Sequence, residues 1–263
     1  MSTSQITFTV FTKPWKTPLP QLGAFVQKLG FNGIELPVRP GYQVTPESMR
    51  TTLPEAVRIL ADYGLTINSV AGPTNEAMIA LCAELNIPTI RICLNVPTEM
   101  SYIAYEEQQR HEFDELVPLL DKYGVTLGIQ NHNGRCVANA MGILHLIEKY
   151  DRKHIGAVLD PAHCALNGEI PELALDIVWS HLCMVNLKNA LWVRTNGPEA
   201  SVAAYDHYWT SGRQGLASWK RFTSALKQRN YSGTICLTAE YSDEPAVDRL
   251  IAEDIAFAKS LFA

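Results

Sequence analysis

Apolar positions along this chain follow two alternating rhythms. Leu22, Phe25, Val26 and Leu29 stand at i, i+3, i+4 and i+7, which lines one face of a helix, and Gly30 supplies a left-handed stop before Phe31. The same grammar recurs downstream. Ala56, Val57 and Leu60 lead to Gly64; Met78, Leu81, Cys82 and Leu85 lead to Asn86; Phe113, Leu116, Val117 and Leu120 lead to Gly124; Phe222 and Leu226 lead to Asn230. Between these helices lie short runs rich in β-formers: ITFTVF, GIEL, LTINSV, TIRICL, VTLGIQ, IGAVLD, LCMVNL and TICLTAE.

Eight strands alternating with helices predict a closed parallel barrel, the (β/α)8 or TIM barrel of the α/β class. An open doubly wound sheet is the competing architecture. It is disfavoured because KPWKTPLP, without a glycine-rich phosphate loop, follows the first strand. The length of 263 residues lies close to the size of one such barrel, so residues 1–263 are expected to form a single domain. Three connections are long: 37–53, 95–109 and 189–217. Each follows a strand, which puts it on the carboxyl-end face where barrel active sites are built. Plain surface loops are the alternative, since insertions there cost little.

Strand alternation also predicts which side chains enter the barrel. In the last run Ile235, Leu237 and Ala239 suit the helix layer, so Thr234, Cys236, Thr238 and Glu240 point inward. The same parity sends Gly156, Val158 and Asp160 inward in the sixth run, Gly128 and Gln130 in the fifth, and Asn186 and Lys188 in the seventh. Glu35 joins them from the second. Polar residues gathered at the carboxyl ends of strands form a constellation suited to chemistry, because buried carboxylates are costly to keep without a partner or ligand. A hydrogen-bonded polar plug is the alternative use of the same residues.

Composition narrows the function classes. Apolar residues make up 47% of the chain, enough for a large core, and the formal charge of -5 comes without a Lys/Arg cluster, which argues against a nucleic-acid partner. The six cysteines are scattered, which suits free thiols in a reducing compartment. No run has the length of a membrane span and no signal peptide is recognised, so a cytoplasmic protein with no membrane partner is expected. The residues leave a monomer and a homo-oligomer both open.

The runs VTLGIQNHNG, VLDPAHCALNGE, MVNLKNA and TICLTAEYS, with LGFNGIELPVRPG near the start, resemble the xylose isomerase-like barrels, a family of sugar isomerases and epimerases. The resemblance covers essentially the whole chain. It implies one divalent cation, Mg2+ or Mn2+, held by Glu, Asp, His and Glu from strands five to eight. Asp160 and Glu240 match that pattern, and His163 matches a histidine near the substrate. Gln130 replaces the strand-five Glu, Asn186 the strand-seven His, and Asn189 an Asp that often follows the family's strand-seven Lys. The implied ligand set is thus Gln130, Asp160, Asn186 and Glu240, all oxygen donors, suited to a hard cation held more weakly than in the family pattern.

Together these residues predict a divalent-metal-dependent isomerase or epimerase of a small sugar or hydroxy-keto acid. Its reaction would be proton transfer through an enediolate, with Glu240 as base and His163 as a second proton carrier. Glu35, His132, His163, Lys188, Arg135, Arg194 and Arg213 are the expected substrate contacts, and Trp15, Trp192 and Trp209 could wall a sugar ring. A dehydratase acting on a polyol acid and a barrel that binds a sugar without turnover are the two alternatives.

Overall fold

The computed structural model describes residues 6–263; residues 1–5, where the expected domain begins, lie outside the described part. Strands β1 (Ile6–Phe11), β2 (Gly33–Pro37), β3 (Thr66–Ala71), β4 (Thr89–Cys93), β5 (Thr126–Gln130), β6 (Ile155–Leu159) and β7 (Leu182–Leu187) are followed by a hairpin, β8 (Asn189–Arg194) and β9 (Tyr205–Thr210), and by β10 (Gly233–Leu237). The barrel closes in the order β1-β10-β7-β6-β5-β4-β3-β2 with every adjacent pair parallel. Closure is made by β1, which pairs with β10 from Ile6↔Gly233 to Val10↔Leu237. This is the (β/α)8 barrel expected from the repeat.

The helices are α1 (Leu19–Lys28), α2 (Met49–Ala61), α3 (Glu76–Glu84), α4 (Tyr102–Tyr123), α5 (Ala140–Ile147), α6 (Pro161–Leu166), α7 (Pro171–Val178), α8 (Trp219–Gln228) and α9 (Val247–Phe262). All five stop residues read from the sequence adopt left-handed backbone: Gly30 at φ 79°, Gly64 at 69°, Asn86 at 56°, Gly124 at 68° and Asn230 at 53°. Such a residue turns the chain off the helix axis and lets the next apolar side chain drop into the core. Phe31, Leu65, Ile87, Val125 and Tyr231, which follow these stops, are all buried.

The three long connections differ from plain loops. The first turns helical at Met49, and the second at Tyr102, where the Ser101 hydroxyl accepts the Ala104 N–H at 3.3 Å as an N-cap. The third folds as the antiparallel β8–β9 hairpin, paired from Asn189↔Thr210 to Arg194↔Tyr205.

Strand parity divides the core in two. Ile155, Ala157, Leu159, Val185, Leu187, Ile235 and Leu237 pack with the helices in the large outer core, whereas Phe11, Ala71, Val158, Met184 and Cys236 form a small cluster inside the barrel. That cluster floors the carboxyl-end mouth, and the polar residues stand above it.

Candidate functional site

Asp160 follows β6 directly and opens α6. Pro161 sits at the first helical position, where its missing N–H costs nothing, and the Asp160 carboxylate caps the helix by accepting Ala162 N–H at 2.9 Å and His163 N–H at 3.4 Å. The main chain of Asp160 is pinned by Asn131, whose Oδ1 accepts its N–H at 2.8 Å and whose Nδ2 donates to its carbonyl at 3.1 Å. Burial raises the Asp160 carboxyl to about 6, with Lys188 and the cap bonds opposing the shift.

Gln130, at the end of β5, joins Asp160 to the floor. Its Nε2 donates to Asp160 Oδ2 at 3.0 Å and its Oε1 accepts from Arg91 Nη1 at 2.7 Å. Reversing the amide would set donor against donor and oxygen against carboxylate, so the two neighbours fix its orientation. Arg91, from the middle of β4, spends its Nε and Nη2 on Glu35, which also accepts the Ser69 hydroxyl at 2.9 Å. Glu35 and Arg91 thus form a buried ion pair beneath the mouth, and Glu35 does not line the cavity above.

Glu240 lies beyond the regular end of β10. The ladder stops at Leu237, and Ala239 takes a left-handed φ of 52°, a strained conformation for a residue with a Cβ, which turns Glu240 over the mouth. There its two oxygens bind two ammonium groups, Lys188 from the end of β7 and Lys13 from the loop after β1. Burial alone would raise the Glu240 carboxyl, but Lys188 and then Lys13 overcome it and hold it well below the usual carboxylate range. The ammonium of Lys188 also sits 3.4 Å from the ring centroid of Trp209, which the β8–β9 hairpin carries back over the mouth.

His163 and Asn186 complete the arrangement. His163 Nδ1 accepts the Asn133 N–H at 3.2 Å, so its proton resides on Nε2, which has no hydrogen-bond partner among the described residues and stands 3.6 Å from Asp160 Oδ2. Burial, followed by Lys188 and His132, depresses its imidazole far below the ordinary value and keeps it neutral. His132 stacks on it with ring centroids 4.1 Å apart, and burial likewise lowers His132. Asn186 is fully buried, and among the described residues neither of its amide atoms has a partner. Unsatisfied polar atoms at this density are costly in a core.

These groups surround a cavity of about 170 Å³ lined by Lys13, Arg91, Gln130, His132, His163, Asn186, Lys188 and Glu240 among others. Beside it a wider cleft of about 630 Å³ opens past Lys13, Lys16, Tyr42, Trp209, Glu240 and Tyr241. Besides Glu35, three further expected contacts are not brought in. Arg135 gives its guanidinium to the carbonyls of Val96, Pro97 and Met100; Arg194 binds Asn196 and Gly197 at the hairpin tip; Arg213 lies 3.8 Å from the Phe257 ring centroid. Trp15 donates to Asp248 at 2.7 Å and packs on Phe25, and Trp192 donates to the Leu166 carbonyl at 2.9 Å, so both hold loops in place. Asn189, the other departure from the family pattern, braces the hairpin by bonding Gly212 and Ala217. Sequence reasoning missed Lys13, Arg91 and Asn131. Only Arg91 carried a signal, being a charge inside the apolar run TIRICL at an inward position.

Residues 24–261 match the sequence pattern of the xylose isomerase-like TIM barrels. The chain belongs to that family. Solved structures similar to this xylose isomerase-like barrel include a D-psicose 3-epimerase with D-tagatose from Clostridium cellulolyticum H10, at a TM-score of 0.75 and 13% identity over 97% of this chain and 99% of that one. The probable 3-DHS dehydratase of petrobactin synthesis from Bacillus anthracis superposes with a TM-score of 0.73 at 14% identity over 96% and 98% of the two chains. A xylose isomerase-like protein from Mycobacterium smegmatis in complex with magnesium gives a TM-score of 0.69 at 16% identity over 94% and 89%. No curated protein matches the chain in sequence. At these identities the likeness is one of fold.

The expected metal set does not fit what this xylose isomerase-like barrel presents. Gln130 turns a donor toward Asp160 and gives its oxygen to Arg91, while both Glu240 oxygens are bound by lysines. Asn186 keeps a free oxygen, but one neutral oxygen among ammonium groups is a poor ligand for a hard dication. Among the described residues no three His, Cys, Asp or Glu side chains group as metal ligands. Also among them, no helix is long and apolar enough to cross a membrane.

Proposed function

We propose that this chain is an isomerase acting by proton transfer next to the carbonyl of a small hydroxy-keto acid or acidic sugar. The observation that carries the reading is the pairing, in one polar cavity, of unpartnered groups on Asn186 and His163 with the Lys188–Glu240 ion pair. The first two offer bonds to hydroxyl and carbonyl oxygens, and the pair offers an acid and a base. Lys13, Arg39 and Lys188 line the cavity against the carboxylate of Glu240, with the charge of Arg91 balanced by Glu35 beneath, which favours an acidic substrate over a neutral one.

In this reading the substrate oxygen takes the Lys188 ammonium away from Glu240. Losing that partner makes the carboxylate a stronger base, so substrate binding itself prepares it. Glu240 then removes the proton from the carbon beside the carbonyl. The C–H electron pair becomes a C–C double bond while the carbonyl oxygen gains charge, which Lys188, the His163 Nε2–H and the Asn186 amide nitrogen stabilise. The proton of the adjacent hydroxyl passes by way of Lys188 to the former carbonyl oxygen, and as that hydroxyl oxygen becomes the new carbonyl Glu240 delivers its proton to the former carbonyl carbon. Gln130 cannot carry a proton, so a one-base isomerisation suits these residues better than a two-base epimerisation.

The test is wash-in of solvent deuterium. A panel of ketoses, aldonic keto acids and hydroxypyruvate-like acids is incubated with the protein in D2O and followed by proton NMR. Exchange at the carbon next to the carbonyl is expected for at least one acidic member and is expected to vanish in Glu240→Gln. Formation of an ultraviolet-absorbing enone instead would identify a dehydratase. Binding of panel members without exchange would refute turnover and leave a ligand-binding barrel.

A further inference from the structure

We infer that Lys188, Lys13 and Arg91 together occupy the oxygens a resident divalent cation would use, so that this barrel works with positive charge supplied by its own chain. The inference concerns the same cavity as the proposed reaction and relies on that reading only for where a ligand binds.

Lys188 is only 5% exposed, lies at the end of β7 two residues beyond Asn186, and contacts a Glu240 oxygen on one side and the Trp209 ring on the other. A carboxylate and an aromatic face are the two kinds of surface that stabilise an ammonium removed from water, so the side chain is confined in a binding place built for a cation. Lys13 fills the remaining oxygen of Glu240, and Arg91 takes the one side-chain oxygen of Gln130. Each oxygen of these two residues that a metal would use is therefore already satisfied by a positive nitrogen. The replacements are consistent with one another. Carboxylate-to-amide at Gln130 removes a negative charge that the metal would have balanced, and imidazole-to-amide at Asn186 removes a nitrogen ligand. A dication entering now would face the repulsion of Lys188 and Lys13, with the charge of Arg91 already balanced by Glu35, and would find Asp160 and Glu240 as the carboxylates to hold it.

The experiment measures Mn2+ itself rather than turnover. Protein treated with chelator and desalted is titrated with Mn2+ and the free ion is read by electron paramagnetic resonance. The wild-type protein is expected to bind no stoichiometric Mn2+ through the millimolar range. Lys188→Met keeps the apolar stem against Trp209 and uncovers Glu240, and is expected to tighten Mn2+ binding by roughly a hundredfold or more, since one contacting charge is removed. Lys188→Arg, which keeps the charge, is expected to behave as wild type. If Lys188→Met fails to fold, Lys188→Gln carries the same comparison. Stoichiometric Mn2+ binding by the wild-type chain would overturn the inference. So would Lys188 variants that fold, lack the charge and still refuse the ion. Neither result touches the deuterium exchange, which stands or falls separately.

Discussion

Arg91 and Glu35 show how one buried charge obliges another. Both lie in the barrel interior, at 6% and 0% exposure, and neither could remain there alone. Arg91→Met leaves Glu35 unpaired and also frees Gln130 Oε1; the expected loss of stability is about 3–5 kcal/mol in urea unfolding. Adding Glu35→Leu removes the stranded carboxylate, so the double variant is expected to be more stable than Arg91→Met alone. If the two losses merely added, the side chains would not be coupled in the folded protein. Ala239 is a second residue whose conformation is set from outside. Its left-handed φ costs about 1–2 kcal/mol relative to an ordinary strand residue, and the strain is found beside Glu240, whose aim depends on it.

At the scale of elements, the helix stops carry the regularity of the fold. Asn86 and Asn230 do at α3 and α8 what glycines do elsewhere, because asparagine tolerates left-handed backbone better than other residues with a side chain. Asn86→Ala and Asn230→Ala are each expected to cost about 1 kcal/mol, while Asn→Gly at the same places is expected to be nearly neutral. Thermal unfolding of the four variants checks this, and an alanine as stable as asparagine would show that the turn does not need the conformation. The β8–β9 hairpin is the element that departs most from the repeated unit. It carries Trp209 onto Lys188, and Asn189 at its base and Ser242 of the loop after β10 hold it there through the carbonyls of Gly212 and Ala217 and the N–H of Trp209.

Across the whole molecule, segments far apart in the chain are tied together at the mouth by Asp254 of α9. Its carboxylate accepts the Gly212 N–H at 2.8 Å and the Tyr241 hydroxyl at 2.9 Å, joining the end of the hairpin, the loop after β10 and the last helix. Burial raises its pKa from 3.8 to about 6 against the opposing hydrogen bonds. A carboxyl whose folded pKa is raised binds its proton more tightly when folded, so its contribution is fully present below 3.8 and is lost as pH rises through about 6. Asp160, raised for the same leading reason, acts in the same direction over the same range. Stability is therefore expected to decline between 3.8 and about 6 from these two groups, and Asp254→Asn is expected to flatten that part of the profile in urea unfolding at a series of pH values. An unchanged slope would show that Asp254 titrates normally.

The chain's own order of residues determined the barrel and its inward faces. Helix stops at Gly30, Gly64, Asn86, Gly124 and Asn230 and strand alternation through Gln130, Asp160 and Asn186 are local properties, governed by backbone sterics and by the two-residue period of a strand. Tertiary structure alone decided which charges meet. Lys13 and Glu240 are 227 positions apart, and nothing near either predicts their contact. Arg135, Arg194 and Arg213 share the loops of the active face, yet nearby carbonyls, an asparagine and an aromatic ring claim them first. Direction along a strand follows from short-range geometry, whereas ion pairing depends on distances set only when the barrel closes.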